Sequence, residues 1–320
     1  MSEPAGAPQR LLGVALRGMA MGAADVVPGV SGGTIAFITG IYQRLLDALG
    51  NAPTRLWRAI RQRQVSGLWQ SLDGAFLATL LSGILFSVMT LAGVIQHALE
   101  TWPIPVWSFF FGLILASAWH IGRDVGRWRG DRVALLLAGA ALAWWVTGLT
   151  PGQAPVNTMT LFGAGALAIS AMILPGISGS FVLLLLGMYT PVLSAIDGLA
   201  VSDLAVFALG CGAGLLAFAR VLSSLMHRFP DRMLALLTGV MLGALNAVWP
   251  WKQTISWRLD RDGERVPLVQ ENLMPGDFGA VTGEPVFLKT ALMAVLIGVI
   301  LVFAVDGYRA FRQCKKRALS

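Results

Sequence analysis

Long apolar blocks alternate with short polar connections along this chain. Residues 74–96 form an uncharged run of 23, followed by blocks at 105–121 and 133–149. Three more blocks occupy 203–225, 233–249 and 286–306. A helix needs about 20 apolar residues to cross a hydrocarbon core, so each block reads as a transmembrane helix. Two further apolar stretches, 11–49 and 158–196, contain proline and glycine, which interrupt a helix locally. The longest polar stretch, 250–285, carries both signs of charge and reads as an outer loop.

The two broken stretches repeat one another. Residues 26–49 and 173–196 align without gaps at an offset of 147, with eight identities in 24 positions. Pro28, Gly29, Ser31, Gly32, Gly40 and Tyr42 match Pro175, Gly176, Ser178, Gly179, Gly187 and Tyr189. Such similarity at fixed spacing marks an internal repeat. In each copy one half-helix ends at the Pro-Gly break. Ser31 or Ser178 then stands where an N-cap would start a second half-helix.

Composition fixes the solvent. Of 320 residues, 56% are hydrophobic and 13% are charged, against about 25% charged in soluble domains. The expected fold class is therefore an all-α polytopic membrane protein. The net charge of +7 does not point to nucleic acid, because the basic residues sit in short connections. Arginines in 50–72, 122–132, 227–232 and the carboxy-terminal tail place those segments and both termini on the cytoplasmic side. That assignment requires each broken stretch to enter and leave on one side, as a re-entrant hairpin. The predicted architecture is two inverted repeats, 1–149 and 150–320, each a hairpin plus three spans. Inverted repeats with breaks at corresponding positions point to a transporter with its site near the midplane. The first ten residues lack the pattern of a cleaved signal peptide.

The breaks carry the candidate chemistry. Irregular backbone at membrane depth survives only where it lines a cavity or is buried in protein. The second half-helices begin with the amides of Gly32, Gly33 and Thr34, and of Gly179, Ser180 and Phe181. Each helix start acts as roughly half a positive charge, which suits phosphate. The hydroxyls of Ser31, Thr34, Ser178 and Ser180 add donors. The same glycines also read as residues that let helices pack closely. Asp25 flanks the first break, and its counterpart is Met172. It is a candidate to bind a coupling ion, a proton or sodium, or to hold the break in shape. Arg220, deep in the block 203–225, reads either as a phosphate partner or as a side chain that snorkels to the cytoplasmic surface. Trp249 and Trp251 fit an interfacial aromatic belt. No histidine flanks the Gly-Ser turns and no His/Cys/acid cluster has metal-ligand spacing, so neither an enzyme nor a cofactor is expected.

The stretch GMAMGAADVVPGVSGGTIAFITGIY (18–42), with LPGISGSFVLLLLGMY (174–189), resembles the PopT family of bacterial polyprenyl-phosphate transporters. The resemblance spans nearly the whole chain, including Pro250-Trp251. It implies return of undecaprenyl phosphate, the lipid carrier of cell-wall precursors, from the outer to the inner leaflet of the cytoplasmic membrane. The motif positions it carries over are Asp25, Pro28, Gly29, Ser31, Gly32, Gly33, Thr34, Pro175, Gly176, Ser178 and Gly179. The partners it implies are undecaprenyl phosphate and membrane lipids, and homo-oligomerisation stays open. The prenyl tail would remain in lipid while the phosphate crosses by alternating access. The residues alone leave a second reading open, a transporter or channel for a small soluble anion.

Overall fold

The computed structural model describes residues 11–27, 29–62, 67–152, 154–259 and 265–318. The break residue Pro28 and the first ten residues lie outside them. The described chain is mostly helical. Helices α1 (Leu11–Val26), α2 (Gly32–Ile38) and α3 (Tyr42–Arg61) form the first broken element. A short α4 (Leu68–Ser71) leads to α5 (Gly74–Thr101), α6 (Pro103–Arg123) and α7 (Gly130–Thr147). The second broken element is α8 (Thr158–Ile173), α9 (Gly179–Leu185) and α10 (Tyr189–Asp197). Then come α11 (Val201–Arg228) and α12 (Pro230–Ala244), which a 3-10 turn extends over Leu245–Val248. Strands β1 (Lys252–Leu259) and β2 (Arg265–Asn272) and helix α13 (Pro275–Thr282) precede α14 (Leu288–Ala318). Among the described residues, five helices (α5, α6, α11, α12 with its 3-10 turn, and α14) are long and apolar enough to cross a membrane. Helix α7, over the block expected to span at 133–149, is not one of them, being 18 residues long with Asp131 and Arg132 in its first turn. The α9–α10 pair, bent by 106°, makes a sixth span if counted as one. The chain is a polytopic helical membrane protein.

Local chemistry explains several helix ends. Asn157 starts α8 with a capping box: its side chain accepts from Thr160 N at 2.9 Å, and Thr160 Oγ1 accepts from Asn157 N at 3.0 Å. The α5–α6 and α11–α12 corners are alike. Both leading helices have 28 residues and end at an aromatic residue before proline. Trp102 (φ −132°, ψ 58°) and Phe229 (φ −136°, ψ 58°) adopt the same non-helical conformation, and Pro103 and Pro230 start the next helices.

Burial sorts the helices into centre and rim. About half of the α6 and α12 spans is buried (50% and 56%), against 22% for α5, 11% for α11 and 17% for α14. The exposed Leu, Ile and Phe of the latter three therefore face lipid. Packing is pairwise: α1 on α5, α8 on α11, α6 on α14, and α12 on α7. Small residues permit the close approach, as is usual in membranes. A Cβ on Gly112 of α6 would strike the backbone of Val295, and one on Gly239 of α12 would strike the backbone of Leu136.

The stretch 250–285 corrects the all-α expectation. β1 and β2 form an antiparallel hairpin with Lys252 opposite Asn272. Its signal in the sequence is the alternation Ile255, Trp257, Leu259, a period of two residues. The tryptophans before it also have another role than a membrane belt. Trp249 Nε1 donates to Leu273 O at 2.8 Å and Trp251 Nε1 donates to Val286 O at 2.9 Å. Trp251 is buried with Ile104, Phe278 and Ala291, so the pair ties this cap to the ends of α6 and α14.

Gly112→Ala and Gly239→Ala should each lower stability by about 1–3 kcal/mol through overpacking. Gly212→Ala, where an added Cβ meets nothing within 4 Å, should not. Thermal melting of the detergent-solubilised variants reads the difference.

Candidate functional site

Each broken element turns twice on glycine. Gly29 (φ 79°) and Gly176 (φ 93°) make the first turn, Gly40 (φ 64°) and Gly187 (φ 69°) the second. These left-handed conformations favour glycine, and they recur at the offset of the sequence repeat. The turns fold α2 back against α1 and α9 back against α8.

The two elements bond directly to each other. Ser31 Oγ donates to Met172 O at 2.8 Å, and Tyr42 Oη donates to Ile173 O at 3.1 Å. In return Gly176 N donates to Thr34 Oγ1 at 3.1 Å. Ser31 and Thr34 are fully buried. Pro175 adjoins this contact and is buried as well. Both turns rest on the α12 wall, Gly176 against Ala244 and Met241, Gly29 against Ala247 and Val248. Ala244 and Ala247 are three residues apart, so the turns stack about one helical turn, roughly 5 Å, from each other.

The amides of the two short helices have different fates. At α2, Gly32 N donates to Asp25 Oδ1 at 2.7 Å and Gly33 N donates to Ser31 Oγ at 3.0 Å. The start of α2 thus holds its own anion, a carboxylate bonded with charge assistance. At α9, Ser178 makes no side-chain cap. Its Oγ pairs with Ser180 Oγ at 2.8 Å, and Met172 lies over Gly179. Asp25 and Met172 are equivalent positions, so the charge present beside one break is replaced by a neutral thioether beside the other.

Arg220 stands elsewhere. Its backbone packs on Gly50 of α3, and its Nη1 donates to Thr54 Oγ1 at 3.0 Å. Thr54 lies twelve residues, about 18 Å, along α3 from Tyr42, so the guanidinium belongs to the far end of that helix.

Comparison with known proteins settles the family. Residues 21–266 match the family described as VCA0040-like, undecaprenyl phosphate translocase-like. The chain belongs to that family. It is 47% identical to a polyprenyl-phosphate transporter of Vibrio cholerae serotype O1 over 304 residues, which cover 95% of this chain and 99% of that protein. It is 32% identical to a polyprenyl-phosphate transporter of Staphylococcus aureus over 253 residues, 73% of this chain and 85% of that one. No solved structure matches. The part matched to the translocase-like family contains both breaks, Asp25 and Arg220.

It also contains a residue that sequence reasoning passed over. Lys252 Nζ donates to Ala247 O at 2.5 Å and lies 4.2 Å from the Trp107 ring centroid. Ala247 is the residue on which Gly29 rests, so this ammonium sits just outside the first turn. Its one signal in the sequence is a lysine directly after Trp249-Pro250-Trp251. Burial pushes its pKa down from 10.5 to about 8.

Two outcomes follow. Asp25→Ala strands the buried Gly32 N–H and should cost about 1–3 kcal/mol in thermal unfolding, while Asp25→Asn, which keeps an acceptor, should lose less. For Lys252 the depressed pKa means that the unfolded chain holds more protons between pH 8 and 10.5, so stability should rise with pH across that window. Melting curves of the native protein should show this rise, and Lys252→Met should flatten it.

Proposed function

We propose that this protein carries undecaprenyl phosphate from the outer to the inner leaflet of the bacterial cytoplasmic membrane, returning the lipid carrier for cell-wall synthesis. The prenyl tail stays in the bilayer, and only the phosphate passes through the protein. A bare phosphate ion in hydrocarbon would cost tens of kcal/mol. The polar groups of the two breaks replace part of its hydration.

One observation carries this reading: the two breaks meet in the interior, bonded through Ser31, Thr34 and Tyr42 to the backbone of residues 172–176. In the proposed cycle this is the closed state. Parting the breaks frees the Ser31 and Thr34 hydroxyls and the Gly176 amide for an incoming anion. The phosphate is then held between them and the Ser178, Gly179 and Ser180 end of α9, which has no carboxylate of its own. Gly32 and Gly33 join when Asp25 lets go. Asp25 is proposed as the coupling group, its carboxylate exchanging the Gly32 amide for a proton or sodium ion. The membrane arrangement proposed with it is two inverted repeats, 1–149 and 150–320, with re-entrant hairpins and cytoplasmic termini. The matched α5–α6 and α11–α12 corners and the matched pairs α1·α5 and α8·α11 support that arrangement. Relatives named as transporters support a role without catalysis.

Leaflet transfer of a fluorescent polyprenyl phosphate in reconstituted vesicles tests the reading. Ser31→Ala and Ser178→Ala should each slow transfer about tenfold, the worth of one hydrogen bond to a charged group. Full transfer in both variants would remove the breaks as the site. Flux of inorganic phosphate without lipid transfer would instead favour a small-anion pathway.

A further inference from the structure

A second polar site lies between α3 and α11, away from the breaks. A Cβ on Gly50 of α3 would come within 2.7 Å of Arg220 Cα, so the two helices touch backbone to backbone here. Beside this crossing opens a solvent-facing cavity of about 550 Å³, lined by the buried Ser223 and the exposed Asn51, Arg220, Ser224, His227 and Arg228. Its size falls among ligand pockets, which span about 300–1,000 Å³. Its lining is polar and cationic, which suits a head group and not a prenyl chain.

The wall is built, and its cations are only partly used. Ser223 Oγ donates to Asp47 Oδ1 at 2.5 Å, and Gln43 Nε2 donates to the same oxygen at 3.1 Å. His227 Nδ1 donates to Ser223 O at 2.9 Å and lies 3.7 Å from that carboxylate. Asp47 is thereby engaged by neighbours on α3 and α11 and fixes the two helices together. Arg220 gives one N–H to Thr54, and a guanidinium has five. Arg228 Cζ sits 5.3 Å from the Phe229 ring centroid, a cation–π contact that uses none of its N–H donors. The lining thus brings two arginines beside one engaged carboxylate. The surroundings are basic too: Arg55, Arg58 and Arg61 follow on α3, and Arg232 follows on α12. By the positive-inside rule this end is cytoplasmic.

We infer that the cavity between α3 and α11 binds a phosphate monoester dianion, and that it is the station where the lipid head group is held on the cytoplasmic side. The lipid source of that phosphate rests on the translocase reading above. Arg220 and Arg228 grip the phosphate oxygens, and Ser224 and Asn51 add neutral contacts. Arg220, which the sequence leaves open as a phosphate partner or a snorkelling side chain, thus acts at a point of the path separate from the breaks.

Site-directed labelling tests this without relying on transport. Full-length protein carrying Cys211→Ala, Cys314→Ala and Ser224→Cys is treated with a charged maleimide in micelles. Farnesyl phosphate should slow labelling about tenfold, farnesol should not, and Arg220→Ala with Arg228→Ala should abolish the protection. Arg220→Lys, which keeps the charge and loses the planar fork, should leave partial protection and controls for folding. Unchanged labelling with farnesyl phosphate, equal protection by farnesol, or protection that survives the double variant would overturn the site. Equal protection by inorganic phosphate at the same concentration would assign free phosphate and overturn the lipid station. Leaflet transfer by unsubstituted protein separates the two claims. Protection without transfer keeps the cavity and removes the translocase reading, and transfer without protection does the reverse.

Discussion

Everything in this fold depends on two stretches of irregular backbone satisfying each other in an apolar interior. A Pro-Gly break leaves amides and carbonyls that hydrocarbon cannot solvate. The first element answers the second with side chains: Ser31 to Met172 O, Tyr42 to Ile173 O, and Thr34 to Gly176 N. The second answers with backbone alone. The bonding is therefore directional although the sequences are copies, because Thr34 corresponds to Phe181 and Asp25 to Met172. Neither broken element is complete without the other.

The remaining helices hold that contact in place. α12 supplies the wall on which both turns rest, and α7 clamps α12 through the Gly239 approach. α6 is buried to a similar degree and is clamped by α14 through Gly112. α5 and α11 pack against the opening helices of the broken elements and turn most of their surface outwards. The centre is thus rigid because glycine brings backbones together, and the rim is apolar because its solvent is lipid.

Much of this was legible in the sequence, and the reasons are specific. Apolar block length locates five of the six expected spans, α5, α6, α11, α12 and α14, because the bilayer thickness is fixed. The sixth block became α7, only 18 residues long with Asp131 and Arg132 in its first turn. The repeat gave the breaks, since glycine is the residue that takes φ near 64–93° at the positions where Gly29, Gly40, Gly176 and Gly187 recur. Asp25 stood out as a lone acid beside a break, and its bond to Gly32 N explains its place. What stayed hidden was set by packing. The β1–β2 hairpin looked like loop because its alternation is short and flanked by proline and glycine. Lys252 is one charge among several in the stretch 250–285, and only the fold puts it against Trp107 and Ala247. Arg220 could not be separated from the breaks because only the crossing of α3 and α11 assigns it to Gly50 and Thr54.

In the carrier cycle proposed above, the unequal pair Asp25 and Met172 has a further consequence. Two identical halves would offer cargo two wells of the same depth, one per orientation. In the proposed cycle, Asp25 makes the well of its own half shallower for an anion than its twin for as long as it has not taken up its proton or sodium ion. In the proposed translocation the head group then dwells longer on one side of the cycle. Such a bias alters residence times and leaves the overall driving force to the concentrations and ions on either side of the membrane.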